Sequence, residues 1–122
     1  MKKSSVYIID DSQMQVVLLE KILTREGYYV QTFSNGREFL EEFEREMPTL
    51  IISDIDMPVM DGFELLQQIK RKACCRDIPF FFMSSHGDSA ILDRAKKMGA
   101  NIFLEKPFES ELLVQSVKKV LN

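Results

Sequence analysis

The chain lacks any excess of basic charge. Its 16 Lys and Arg stand against 19 Asp and Glu, for a net charge of -3 and a pI near 5.2. Nucleic-acid binding leaves a basic footprint, so direct contact with DNA or RNA has no support. No apolar run approaches the roughly 20 residues of a membrane span. The start, Met1-Lys2-Lys3-Ser4-Ser5, is basic, but the apolar stretch after it stops at Asp10. That is too short for the core of a secretory signal, and a cytoplasmic protein is expected. Cys74 and Cys75 are the only cysteines and His86 the only histidine. A disulfide between neighbours is strained, so both thiols are read as reduced, without a redox or metal role. The sequence also has no internal repeat, low-complexity tract or linker. A single domain over residues 1–122 is expected.

Apolar residues make up 45% of the chain, enough to fill one core. Val6-Tyr7-Ile8-Ile9 is a short β-prone run ending at Asp10 and Asp11. Met14, Val17, Leu18, Leu19, Ile22 and Leu23 then recur at helical spacing up to about Glu26. Ser12 or Asp11 suits the cap of that helix, and Gly27 its end. Tyr28 to Phe33 reads as a second strand. Asn35 with Glu38 has the pattern of a capping box, opening a helix that carries Phe39, Leu40 and Phe43 and ends before Pro48. Leu50 to Ser53 is a third strand. Asp61 with Glu64 repeats the capping pattern before a helix with Phe63, Leu66 and Ile69 as its buried stripe. Pro79 to Met83 is a fourth strand, ending at Ser84 and Ser85. A fourth helix runs from about Asp88 to Met98 on Ile91, Leu92, Ala95 and Met98, and Gly99 terminates it. Asn101 to Leu104 is a fifth strand, followed by Glu105-Lys106-Pro107-Phe108. A last helix carries Leu112, Leu113, Val117, Val120 and Leu121.

Strict alternation of strand and helix implies a parallel sheet with helices on both faces and right-handed crossovers. In such a sheet every strand's carboxyl end lies on one edge, where ligands and chemistry sit. That edge collects Asp10 and Asp11, Asp54 and Asp56, Ser84, and Lys106. Converging carboxylates raise one another's pKa unless a cation intervenes. Hard oxygen ligands with open positions suit Mg2+, and a lysine and a hydroxyl beside it complete a phosphoryl-binding set.

These residues resemble the signature of a response-regulator receiver domain, the phospho-acceptor of two-component signalling. The resemblance rests on Asp10-Asp11, on Asp54-x-x-Met57-Pro58-x-Met60-Asp61-Gly62, on Ser84 and on Lys106-Pro107-Phe108. It covers nearly the whole chain. It implies a flavodoxin-like, doubly wound five-stranded sheet of order 2-1-3-4-5 with five helices. By the same resemblance, Asp54 accepts a phosphoryl group from a histidine kinase or a phosphotransfer protein. Asp11, Asp54 and the backbone carbonyl of Asp56 hold Mg2+, with Asp10 helping directly or through water. Lys106 pairs with the phosphoryl oxygens, Ser84 moves to bond them, and Phe103 follows as the aromatic switch. The Lys106-Pro107 bond would be cis. Asp56 and His86 occupy positions that tune dephosphorylation. Such a domain is not an enzyme beyond its own phosphorylation and dephosphorylation. It passes its state to a downstream protein or output domain, and in some members through a homodimer formed on phosphorylation.

Five positions depart from the commonest pattern: Ser53 before the acceptor, Ser85 after the switch hydroxyl, ionisable Asp56 and His86 at the rim, and Phe103 without the hydroxyl of the usual tyrosine, so that its movement must be driven by packing alone. The output surface is expected on the fourth helix, fifth strand and fifth helix, with Ile91, Arg94, Ala95 and Leu112 as candidate contacts. A second reading takes Asp54-Ile55-Asp56 as the Asp-x-Asp of a haloacid-dehalogenase-like phosphatase. Against it, those enzymes carry that motif on their first strand, and no insertion that would select a substrate is present here.

Overall fold

The computed structural model describes residues 4–121; the basic start, Met1 to Lys3, lies outside the described residues. Strands and helices alternate as β1 (Ser5–Ile9), α1 (Gln13–Arg25), β2 (Tyr29–Phe33), α2 (Gly36–Glu42), β3 (Leu50–Asp54), α3 (Gly62–Lys70), β4 (Phe80–Ser84), α4 (Ser89–Lys97), β5 (Ile102–Glu105) and α5 (Ser110–Leu121). A 3-10 turn, Phe43–Arg45, follows α2. All strand pairs are parallel and the sheet order is β2-β1-β3-β4-β5. This is the expected doubly wound, flavodoxin-like arrangement. No described helix is long and apolar enough to cross a membrane.

The apolar runs become β1, β3 and β4 because helices cover both faces of the sheet, and all three strands are buried throughout. Alternation then divides their side chains between two cores. Tyr7, Ile9, Ile51, Phe80 and Phe82 pack under α2 and α3 with Phe39, Phe63 and Leu66. Val6, Ile8, Ile52, Phe81 and Met83 pack under α1 and α5 with Leu19, Leu23, Leu113 and Val117. Register aligns Ile9 with Ser53 and Asp54 with Met83. Asp10, Asp54 and Ser84 therefore leave the sheet within about one residue of each other.

The helix ends follow local chemistry. Ser12, rather than Asp11, caps α1 by accepting from the Gln15 N–H. Asp61 and Glu64 form a reciprocal capping box at α3. At α2 the box is only half made. Asn35 accepts from the Glu38 N–H at 2.8 Å, but the Glu38 carboxylate turns to the N–H and hydroxyl of Ser34. Gly27 and Gly99, both with φ near +100°, end α1 and α4 (φ +96 and +98).

The apolar stripe of α1 is narrower than its composition suggests. Val16, Leu19 and Leu23 are buried, whereas Met14, Val17 and Leu18 are 84%, 44% and 52% exposed. The sheet covers one face of the helix only, and apolar residues at 14, 17 and 18 lie around the side of it. Strand ends also shift by a residue: β4 extends to Ser84 and β5 to Glu105, because the Lys106 N–H still bonds the Ser84 carbonyl at 2.8 Å. Cys74 is exposed, Cys75 is buried, and both are free thiols.

Candidate functional site

The carboxyl edge of the sheet holds the predicted cluster. Asp54, the last residue of β3, has a side chain only 10% exposed. Asp10 follows β1, with a fully buried side chain whose Oδ1 accepts the Ser12 N–H at 3.0 Å. Asp11 is exposed at the rim. Carboxylate oxygens of Asp10, Asp11 and Asp54 all lie within 4.8 Å of one another. Lys106, from the turn after β5, reaches across two strands. Its Nζ stands 3.2 Å from Asp10 Oδ2 and 3.6 Å from Asp54 Oδ1. The Lys106-Pro107 peptide is cis.

This crowding has an electrostatic consequence. Burial, and then the negative charge of Asp10, push the Asp54 carboxyl up from 3.8 to about 6, against the opposing pull of Lys106. One ammonium does not neutralise three carboxylates. Among the described residues, the set offers only hard oxygen donors to a cation, with no thiolate or imidazole in it. It therefore fits Mg2+, which binds one or two carboxylates and keeps open positions.

The frame beneath the acceptor is tight. Gly62 opens α3 directly against the end of β3, where its N–H bonds the Ile55 carbonyl at 2.8 Å. A β-carbon at Gly62 would meet the Asp54 carbonyl oxygen. Between β3 and α3, Val59 has φ +73, and the Met60 N–H bonds the Pro58 carbonyl at 2.8 Å. That is a γ-turn of positive φ, a strained form. The unusual Ser53 is buried and satisfied, its hydroxyl donating to the Asp54 carbonyl at 2.8 Å.

Ser84 closes the far side. It is fully buried, its hydroxyl donates to Asp56 Oδ2 at 3.4 Å, and it accepts from the His86 N–H at 3.0 Å. His86 Nδ1 lies 3.3 Å from the same Asp56 oxygen. These two rim side chains are mostly solvated, at 71% and 62% exposure. Phe103 is half-buried on β5, in register with Phe82, and packs against the α3 side of the core.

Two features were not anticipated. A groove of about 350 Å³ runs beside Lys106, lined by Leu18 and Ile22 of α1 and by Ser85, Pro107 and Phe108. Exposed Leu18 forms one wall of it. On the expected output face, Ala95 is 2% exposed and belongs to the core, so it is no contact residue. Leu92, at 39% exposure, is the outward apolar residue of α4, and Leu112, at 48%, that of α5. Arg94 lays its guanidinium 4.0 Å from the centre of the Phe63 ring, bridging α4 to α3.

A parallel doubly wound domain with carboxylates, a lysine and a hydroxyl gathered at its strand ends has the architecture of a flavodoxin-like domain. Residues 6–118 match the model of the response regulator receiver domain, and the chain belongs to that family. It is a receiver module of two-component signalling. It is 35% identical over 120 residues to the probable transcriptional regulator ycf27 of Guillardia theta, covering 98% of this chain and 46% of the relative. It is 34% identical over 122 residues to the DNA-binding transcriptional regulator NtrC of Escherichia coli K12, covering 100% of this chain and 26% of that one. The chain thus spans about a quarter to a half of these curated relatives. Among solved structures, the chemotaxis response regulator CheY4 of Vibrio cholerae superposes with a TM-score of 0.92 at 30% identity, over 98% of this chain and 100% of that one. A signal receiver domain of a histidine kinase from Syntrophus aciditrophicus superposes with a TM-score of 0.89 at 34% identity, over 97% and 89%. The phosphatase reading finds no support: Asp54 and Asp56 belong to the third strand and its loop, and the family match spans the whole motif set.

Proposed function

We propose that the chain takes a phosphoryl group onto Asp54 from the phosphohistidine of a histidine kinase or phosphotransfer protein, with Mg2+. The observation that carries this reading is the placement of the Lys106 ammonium between the buried Asp10 and Asp54, at 3.2 and 3.6 Å, with the exposed Asp11 completing a cluster of three carboxylates. An Asp54 oxygen attacks phosphorus, the P–N bond of the donor breaks, and the imidazole leaves. Asp11, Asp54 and the Asp56 backbone carbonyl would hold the cation, with Asp10 beside them. When bound, Mg2+ neutralises charge on the phosphoryl oxygens. Lys106 pairs with one of those oxygens, and the Ser84 hydroxyl turns to another. Phosphorylation and its reversal are the only chemistry the chain performs on this reading, so it acts as a switch rather than an enzyme.

The donor approaches over α1. Met14 and Leu18 are exposed apolar residues on that helix, and the groove from Leu18 to Phe108 leads to Lys106. The phosphorylated state reaches a downstream protein or output domain through α4, β5 and α5, where Leu92 and Leu112 are exposed and Phe103 packs half-buried against the core; on this reading Phe103 follows Ser84 as the aromatic switch. The setting is the cytoplasm, where kinase and donor are found. Incubation with labelled acetyl phosphate tests the acceptor: wild type should gain one acid-labile, hydroxylamine-sensitive phosphate, and Asp54→Asn none. Labelling of Asp54→Asn at normal stoichiometry would assign the acceptor elsewhere. Excess chelator should stop the reaction, and undiminished labelling in chelator removes the cation from the scheme.

A further inference from the structure

Ser84 is committed before any phosphoryl group arrives. A serine hydroxyl has one proton to donate. Here that proton goes to Asp56 Oδ2, at 3.4 Å, and the oxygen accepts the His86 backbone N–H at 3.0 Å. Because Ser84 is fully buried, its hydroxyl must keep a partner. The same Asp56 oxygen is held from outside by His86 Nδ1 at 3.3 Å. Ser84, Asp56 and His86 thus form a closed triangle that joins the loop after β3 to the loop after β4 across the mouth of the site.

We propose that Asp56 is a positioning residue that competes with the phosphoryl group for the single proton of Ser84, and that His86 holds Asp56 in place for that competition. This rests on the reading of Asp54 as phosphoryl acceptor. The contact to Asp56 and a contact to a phosphoryl oxygen cannot both be made by one O–H. Each phosphorylation event must therefore break the first to form the second. The Asp56 side chain acts as a resting latch: it lowers the stability of the Ser84-engaged state without touching the acceptor. Its removal favours engagement, and the effect passes wholly through the Ser84 hydroxyl. The His86 backbone N–H remains on Ser84 when the ring is removed, so loss of the imidazole loosens the latch less than loss of the carboxylate.

The test is a double-mutant cycle read by binding of the beryllofluoride anion, a phosphoryl mimic, in excess Mg2+. Four proteins are titrated: wild type, Asp56→Ala, Ser84→Ala and the double variant, with His86→Ala alongside. Asp56→Ala should tighten binding about five-fold, the worth of one freed hydrogen bond of about 1 kcal/mol. His86→Ala should tighten it less. In the Ser84→Ala background Asp56→Ala should change nothing, because no proton is left to compete for. Equal tightening with and without the Ser84 hydroxyl overturns the proposal, since Asp56 would then act on the anion directly by its charge. Unchanged binding in Asp56→Ala overturns it as well. An Asp54→Asn control separates the two levels: undiminished binding there defeats the acceptor reading and the latch together, whereas loss of binding there with additive single effects defeats the latch alone.

Discussion

Gly62 and Asp54 touch through their backbones: a β-carbon at Gly62 would stand 2.6 Å from the Asp54 carbonyl oxygen and 3.0 Å from the edge of Phe82. The start of α3 is thereby pressed onto the end of β3, directly beneath the acceptor. Gly62→Ala should destabilise the fold by roughly 1–3 kcal/mol, the usual range for forcing atoms into a packed core. Urea unfolding measures this. A variant as stable as wild type would show that the loop yields freely at that point.

The Asp54 carboxyl, raised to about 6 from 3.8, gives a pH dependence whose sign is opposite to that of a salt-bridged acid. The folded state binds this proton more tightly than the unfolded chain. Stability contributed by Asp54 is therefore full below about pH 4 and lost as pH rises through 6. Asp54→Asn removes the charge and should be more stable than wild type by about 1–2 kcal/mol at pH 7, a figure reduced for partial solvation. The two proteins should converge near pH 3.5, below the ordinary carboxylate pKa. Mg2+ should narrow the gap at pH 7, because a cation favours the charged form. Melting curves at several pH values decide it, and parallel curves for the two proteins would contradict the buried charge.

Val59 sits at φ +73, and a β-branched residue is poorly suited to that region. Val59 is 68% exposed, so little packing is lost with its side chain. Val59→Gly should release about 1–2 kcal/mol of left-handed strain against about 0.5–1 kcal/mol of added chain entropy. A net gain of about 0.5–1 kcal/mol is expected in thermal unfolding. A loss instead would mean that Val59 makes a contact worth more than the strain.

Helix α4 should be the most labile of the long helices. Ala95 is its only fully buried residue, whereas α3 buries Gly62, Phe63, Leu65, Leu66 and Ile69. Besides the partly buried Ile91 and Met98, the Arg94 guanidinium over Phe63 at 4.0 Å ties α4 to α3. Amide exchange should be faster in α4 than in α3, and Arg94→Ala should speed it further, with a stability loss of about 0.5–1 kcal/mol. Equal protection of the two helices would remove this account.

The sequence made some features legible and hid others for physical reasons. Strands β1, β3 and β4 were readable because burial on both faces leaves an unbroken apolar run in each, Val6 to Ile9, Leu50 to Ile52 and Phe80 to Met83, stopping at Asp10, Ser53 and Ser84. The site was readable because a parallel sheet delivers every strand's carboxyl end to one edge, so Asp10, Asp54, Ser84 and Lys106 needed no further geometry. Asp61 and Glu64 announced the α3 capping box, but the same pattern at Asn35 and Glu38 misled, since Ser34 offered the carboxylate a better donor. Helix α1 carries apolar residues around more than one face, and periodicity cannot choose among 14, 16, 17, 18 and 19 without knowing where the sheet lies. The Ser84–Asp56–His86 triangle was hidden too, because it depends on how two loops from different strands lean toward each other.

The divided face of α1 separates two kinds of selection on one helix. Leu19 and Leu23, with no exposure, answer to the fold, and their loss opens a cavity. Met14 and Leu18 are mostly in water, and exchanging them costs the fold little, within about 0.5 kcal/mol for ordinary surface changes. If the phosphodonor is met on that face, the choice of donor can drift or be rewritten one residue at a time. A lineage that duplicates this module can then separate the signalling of its copies at positions where the folded state exerts almost no veto.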